Sequence, residues 1–229
     1  MSRGVFVAGT DTGIGKSVVS ASLLAALNRS GRRAAGMKPV ASGCRPAAEG
    51  LRNADAELLL AYSAGTPAYR TVNPYALPEA IAPHLAAAAA GVEVRLAPIL
   101  AGFAALSTSA DCVVVEGVGG WAVPLSPALM QADLVRALRL PVVLVVGLRL
   151  GCINHALLSA RAIAADGCAL IGWIGNRIDP AMAWVDENIA TLGERLPAPC
   201  LGVLPFAASP RPDALARHVD AVLPLLAAI

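Results

Sequence analysis

The sequence predicts an α/β fold, a doubly wound, mostly parallel sheet with helices on both faces. Short β-branched runs alternate with longer Ala/Leu-rich segments, the trace that repeated βα units leave in a sequence. No Pro/Gly/Ser linker or break in composition interrupts the alternation, so residues 1–229 are expected to form one domain. With 56% hydrophobic residues, the chain has ample material for a buried core.

Taken in order, residues 4–8 read as a strand, Lys16–Arg29 as a helix and residues 33–38 as a second strand. Residues 112–116 and 142–147 are built on continuous apolar runs, as strands covered on both faces are. A helix over 154–165, a strand over 170–175 and a last strand over Cys200–Leu204 complete the alternation. The Ala-rich run at 85–90 reads as a helix, and the apolar segment 219–229, which has no basic residue, is expected to pack against the body.

The first strand runs into Gly9-Thr10-Asp11-Thr12-Gly13-Ile14-Gly15-Lys16-Ser17 and then a helix. Such a loop turns its backbone N–H groups toward an anion, and the helix N-terminus adds its dipole. In the usual G-x-x-x-x-G-K-[ST] pattern the lysine reaches the β- and γ-phosphates and the hydroxyl faces Mg²⁺; here the window opens on Thr10, and Gly9 lies one residue earlier. The fold is therefore expected to be of the P-loop NTPase type. Reading Gly13-Ile14-Gly15 as a dinucleotide fingerprint fails twice, because Val18 fills the third glycine position and Lys38 stands where an acidic residue would hold the ribose. Glu116 closes an apolar strand and precedes Gly117-Val118-Gly119-Gly120, the setting of a Walker-B carboxylate beside the P-loop, although an ordinary solvated glutamate fits the pattern too. Asp55 reads equally as a helix cap or a ligand.

Composition excludes several classes. The net charge is +2 with no basic block, leaving no footprint for nucleic acid or anionic lipid. The most apolar stretch is too short to span a bilayer, and residues 1–7 lack the apolar core of a signal peptide, so a cytoplasmic enzyme is expected. Five widely spaced cysteines, Cys44, Cys112, Cys152, Cys168 and Cys200, argue against a disulfide framework or a zinc site. Against sixteen arginines stand two lysines, Lys16 and Lys38. A chain that drifts to arginine wherever charge alone suffices keeps lysine where a compact ammonium is needed.

Taken together, Gly9 to Thr12 with Gly15-Lys16-Ser17, Lys38-Pro39-Val40-Ala41-Ser42-Gly43, Leu51-Arg52-Asn53-Ala54-Asp55, Thr71-Val72-Asn73-Pro74-Tyr75, Val115-Glu116-Gly117 with Gly119-Gly120-Trp121, and Gly151-Cys152-Ile153-Asn154-His155-Ala156 resemble the dethiobiotin synthetase family in order and spacing. The resemblance spans essentially the whole chain and thins after Pro180. It implies a homodimeric enzyme that turns 7,8-diaminopelargonate, CO₂ and ATP into dethiobiotin, ADP and phosphate through a carbamate and a carbamic-phosphoric anhydride. Lys16 and Lys38 would be catalytic, and Thr12 and Ser42 would lie near the carbamate and diamine. Ser17, Asp55 and Glu116 would be Mg²⁺ ligands. The nucleotide would contact Gly13, Ile14, Gly15, Lys16, Ser17 and Val18, then Asp55 and Glu116 with Gly117, Val118 and Gly119. Asn176 and Arg177 would lie at the adenine, flanked by Pro205, Phe206 and Ala207. The neighbouring subunit's Gly151, Cys152, Ile153 and Asn154 would receive the diamine's carboxylate at a helix start.

Three positions depart from the family pattern: Gly13 replaces a common glutamate, Arg177 an acidic residue, and the segment around Asn188 lacks a tyrosine. Two rivals remain open. A partitioning or positioning switch ATPase would carry a further lysine early in the P-loop, where Thr10, Asp11 and Thr12 stand. An ATP-dependent amidoligase would need a glutamine-hydrolysing domain, which does not fit in this chain.

Overall fold

A computed structural model describes residues 4–227. The chain opens with β1 (Gly4–Gly9), α1 (Lys16–Arg29) and β2 (Ala34–Met37), followed by the short strands β3 (Val40–Ala41), β4 (Arg45–Ala47) and β5 (Gly50–Arg52). Next come α2 (Ala54–Ala61), α3 (Tyr69–Val72), β6 (Tyr75–Ala76), α4 (Pro83–Ala89), α5 (Leu96–Ser109) and β7 (Cys112–Glu116). β8 (Pro124–Ser126) and β9 (Leu129–Met130) lead into α6 (Gln131–Leu138), β10 (Val142–Leu148), α7 (Cys152–Ala165) and β11 (Leu170–Arg177). The chain continues through α8 (Val185–Arg195), β12 (Cys200–Leu204), α9 (Pro212–Leu215), a 3₁₀ turn over Ala216–Val222 and α10 (Leu223–Ala227).

Six strands form one sheet in the order β12-β11-β10-β1-β7-β2, with every pairing parallel. From β1 the chain builds toward β7 and β2 on one side and toward β10, β11 and β12 on the other. The carboxyl end of β1 is thus a topological switch point, where open α/β sheets leave a crevice. Side chains alternate across the sheet with the period of a strand. Val5, Val7, Val114 and Val145 pack on one face with Leu23 and Leu27 of α1 and with Val219, Val222 and Leu226 near the C-terminus. Phe6, Ala8, Val113, Val115, Leu144 and Val146 face the opposite layer, with Ile99 and Leu106 of α5, Leu134 of α6 and Ala156 of α7.

The main-sheet strands fall where the apolar runs predict, within a residue or two at their ends. Lys38 lies just past β2 rather than inside it, and α7 starts two residues earlier than expected, at Cys152. Of the C-terminal segment expected to pack inward, Val219, Val222 and Leu226 do so, Asp220, Ala221, Pro224 and Ala227 are exposed, and residues 228–229 lie outside the described part. Cys44, Cys112 and Cys152 are buried, Cys168 is half-buried and Cys200 is exposed. Among the described residues no helix is long and apolar enough to cross a membrane.

Candidate active site

The loop after β1 is shaped by its glycines. Gly13 and Gly15 adopt left-handed φ angles of 73° and 83°, where a Cβ is strained. A Cβ on Gly15 would also lie 2.2 Å from Asn176 Nδ2. Gly9 clears space for the lysine, since a Cβ there would sit 2.8 Å from Lys16 Cδ. Lys16 opens α1, and its ammonium bends back to donate to the Asp11 carbonyl at 2.7 Å. Asp11 also receives the Thr12 N–H at 2.7 Å and Arg149 at 2.5 Å, which ties the loop to the end of β10.

Four chain segments bring their polar groups together at this edge. Glu116, at the end of β7, is 1% exposed. Its Oε1 accepts hydrogen bonds from Ser17 Oγ at 2.8 Å and Lys38 Nζ at 2.6 Å. Lys38 also donates to the Gly117 carbonyl at 3.1 Å and pairs with Asp55 Oδ2 at 3.0 Å. Burial alone would push the Lys38 ammonium toward neutrality, but Glu116 and Asp55 outweigh it and hold the pKa above the ordinary lysine value. Asp55 responds oppositely: burial opposes its charge, yet Lys38 and a hydrogen bond from Ser17 keep its carboxyl below the usual range. For Lys16 the carboxylates of Glu116, Asp55 and Asp11 do not outweigh the opposing effects. Burial and the neighbouring Lys38 lower its pKa to about 8.

These groups line a cleft of about 1010 Å³. Its lining combines polar Thr12, Lys16, Ser17, Lys38, Ser42 and Asp55 with apolar Ala80, Ile81, Pro83, Val123 and Pro124. Glu116 Oε2 and Ser42 Oγ are buried without a hydrogen-bond partner among the described residues, so both can accept a ligand. Two carboxylates and a hydroxyl form a hard oxygen donor set that suits Mg²⁺ when phosphate oxygens and water complete the shell. Among the described residues no group of three or more His, Cys, Asp and Glu side chains is placed to hold a metal ion.

A family model described as an AAA domain matches residues 3–212. ATP-dependent dethiobiotin synthetase from Xanthomonas campestris pv. campestris is 58% identical over 214 residues, covering 93% of this chain and 96% of that protein. The enzyme of the same name from Xylella fastidiosa strain 9a5c is 61% identical over 200 residues, covering 87% and 88%. The chain belongs to the dethiobiotin synthetase family. Among solved structures, the MinD cell division protein of Aquifex aeolicus aligns with a TM-score of 0.59 at 14% identity, covering 97% of this chain and 96% of that one. The ParA family ATPase of Chlorobium tepidum gives 0.54 at 12%, covering 96% and 92%. At such identities the likeness establishes the P-loop α/β fold alone.

The residues implied by the family resemblance divide by location. Thr12, Gly13, Gly15 to Val18, Lys38, Ser42, Asp55, Glu116, Val118 and Gly119 line the one cleft, whereas Ile14 is buried in the core and Gly117 meets the site through its carbonyl contact with Lys38. Asn176, near the end of β11, donates to the Ile14 carbonyl at 2.8 Å and so abuts the P-loop from behind. Arg177 is turned away onto α8, paired with Asp186 at 2.5 Å. Pro205, Phe206 and Ala207 follow β12 at the same edge of the sheet and are exposed. Gly151 caps α7 with φ 94°, and no side chain satisfies that helix start. The Cys152 side chain is buried, leaving Ile153 and Asn154 nearer the surface.

Sequence reasoning missed Gln131. This amide is 1% exposed; it accepts the Val118 N–H at 2.8 Å and donates to the Gly120 carbonyl at 2.7 Å, pinning the loop that follows Glu116. A glutamine opening a polar-faced helix gives no sign of that burial in the sequence. Trp121 anchors the same loop by donating to Asp166 at 2.7 Å and packing edge-on to Phe6.

Proposed function

We propose that this chain is a cytoplasmic, single-domain ligase that forms dethiobiotin from 7,8-diaminopelargonate, CO₂ and ATP, with release of ADP and phosphate. The supporting observation is the match along nearly the full chain to ATP-dependent dethiobiotin synthetases, together with the convergence of Lys16, Ser17, Lys38, Asp55 and Glu116 on one cleft. ATP-dependent formation of dethiobiotin is a step of biotin synthesis.

One amine of the diamine attacks CO₂ and loses a proton, giving a carbamate. A carbamate oxygen then attacks the γ-phosphorus of ATP, and the bond to the β-phosphate oxygen breaks to release ADP. The second amine attacks the carbonyl carbon of the resulting anhydride, and phosphate departs as the cyclic urea closes. Both amines belong to one bound molecule, so ring closure gains from proximity. Carbamate and triphosphate repel each other as they align, and the Lys16 and Lys38 ammonium groups offset that repulsion. Ser17, Asp55 and Glu116 would hold Mg²⁺, which supplies further neutralisation of phosphate charge. Thr12 and Ser42 position the carbamate and diamine, and the unpartnered Ser42 hydroxyl is suited to that contact. The apolar lining residues Ile81, Pro83 and Val123 suit a methylene chain. Asn176 reads the adenine, flanked by the 205–207 turn, while Arg177 stays paired with Asp186 on α8.

The carboxylate docks on the first turn of the partner subunit's α7, in a homodimer. Free N–H groups at a helix start favour such an anion, and Leu150 and Leu158, exposed at 94% and 53%, supply apolar surface beside it. The deciding assay is ADP release with the diamine and bicarbonate present together or omitted one at a time. Release that depends on both supports the reaction, whereas a switch ATPase would ignore both.

A further inference from the structure

Of the residues in segments 51–55 and 71–75, Asp55 alone has a part in the proposed reaction, yet the structure joins others into one polar network. Asn53 caps α2, its Oδ1 accepting the N–H groups of Asp55 at 3.0 Å and Ala56 at 3.3 Å. Its Nδ2 donates to the Ser42 carbonyl at 3.3 Å. Buried Asn73 donates to the Lys38 carbonyl at 2.7 Å and to the Tyr75 carbonyl at 3.2 Å. Between them lies the Tyr69 hydroxyl, which accepts the Asn53 N–H at 2.8 Å and donates to Asn73 Oδ1 at 3.1 Å. The Arg52 guanidinium covers the ring at 4.1 Å from its centroid. Burial raises the phenol's pKa, so the hydroxyl stays protonated and able to donate.

We propose that Tyr69 is a positioning residue whose hydroxyl fixes α2, which carries Asp55, relative to Lys38 and Ser42, and so sets both metal affinity and turnover. The backbone of each of those three residues is hydrogen-bonded to an asparagine, and the two asparagines meet through this one oxygen. A shift of α2 would alter the 3.0 Å contact between Asp55 and Lys38. The turnover part of this inference rests on the reaction proposed above; the part concerning metal affinity rests on the cleft alone.

Tyr69→Phe keeps the ring and its stacking on Arg52 while removing the bridging oxygen. Two readouts test it: calorimetric binding of a non-hydrolysable ATP analogue with and without MgCl₂, and steady-state ADP release with both co-substrates. We expect kcat to fall about 5- to 10-fold, the scale of one lost hydrogen bond, with KM for ATP at fixed MgCl₂ raised severalfold. The affinity gained by adding MgCl₂ should shrink severalfold. A lowered melting temperature with unchanged kcat and unchanged MgCl₂ gain would mean that the hydroxyl is merely structural, and would overturn the proposal. In a cycle with Asn73→Ala, the two effects on kcat should be less than additive; full additivity would dissolve the network. Analogue binding needs no diamine, so a wild-type protein indifferent to the diamine would sink the reaction without touching the metal test.

Discussion

Lys16 and Lys38 are the chain's two lysines, and both are buried at one cleft in a protein with sixteen arginines. Their environments differ, and so do the consequences. With a pKa of about 8, Lys16 is mostly charged at pH 7 and about half neutral by pH 8. A bound triphosphate favours the charged form, so nucleotide binding takes up a proton whenever Lys16 starts neutral. Affinity should therefore be level below about pH 7.5 and weaken as pH rises beyond 8. Calorimetry in buffers of different ionisation enthalpy should detect proton uptake near pH 8.5 and almost none at pH 7; uptake independent of pH would remove Lys16 from the phosphate site. Lys38 already has its counter-charges, with Glu116 at 2.6 Å and Asp55 at 3.0 Å. Arginine is larger and planar, and cannot keep both contacts and the Gly117 carbonyl in a pocket that leaves 3% of the lysine exposed. We expect Lys38→Arg to lower kcat at least about 100-fold, or roughly 3 kcal/mol in the transition state, and near-normal turnover would refute the need for a compact ammonium. Glu116→Gln should raise the Mg²⁺ concentration needed for half-maximal activity, because a neutral amide replaces a charged ligand. An unchanged requirement would exclude Glu116 from the metal site.

At the scale of elements, the P-loop separates two glycines that look alike in sequence. Gly13 and Gly15 share left-handed φ angles, but a Cβ on Gly13 meets nothing within 4 Å whereas one on Gly15 strikes Asn176. Gly13→Asn should thus cost about 1 kcal/mol or less of stability and retain nucleotide binding, because asparagine tolerates this conformation. Gly15→Ala should displace the Asn176 amide and weaken binding of ATP at least about 10-fold; equal behaviour of the two variants in a binding titration would contradict this geometry. The same contrast shows what the sequence made legible. Buried strands were readable because β7 and β10 are apolar without interruption, and the P-loop because its glycines stand between a strand and a helix. The Asn176 contact joins residues 162 positions apart and leaves no local pattern. Gln131, Tyr69 and Asn73 were silent for a related reason. Their value lies in filling the hydrogen-bonding needs of distant backbone groups, and residue type alone does not reveal such pairing. The resemblance marked the segments containing Asn53 and Asn73 without saying what those side chains hold.

For the whole molecule, the open question is whether one chain contains a complete site. The cleft gathers Lys16, Ser17, Lys38, Ser42, Asp55 and Glu116, while the start of α7 lies beyond the Asp11–Arg149 pair with no side chain capping it. If the substrate's carboxylate docks on a partner's α7, each site draws Lys38 from one subunit and Ile153 with Asn154 from the other. A charge placed on α7 tests this directly. Gly151 is a poor choice because its φ of 94° would add backbone strain, whereas Asn154 is exposed in the first turn, where a glutamate favours the helix yet repels a carboxylate. Lys38→Ala and Asn154→Glu homodimers should each be nearly inactive. In a mixed dimer one site receives both lesions and the other none. Equal mixing with free exchange makes about half the dimers mixed, each with one intact site, so activity should recover to about a quarter of wild type. Mass-labelled subunits establish that exchange has occurred. Mixed dimers confirmed in this way but without regained activity would place the entire site within a single chain.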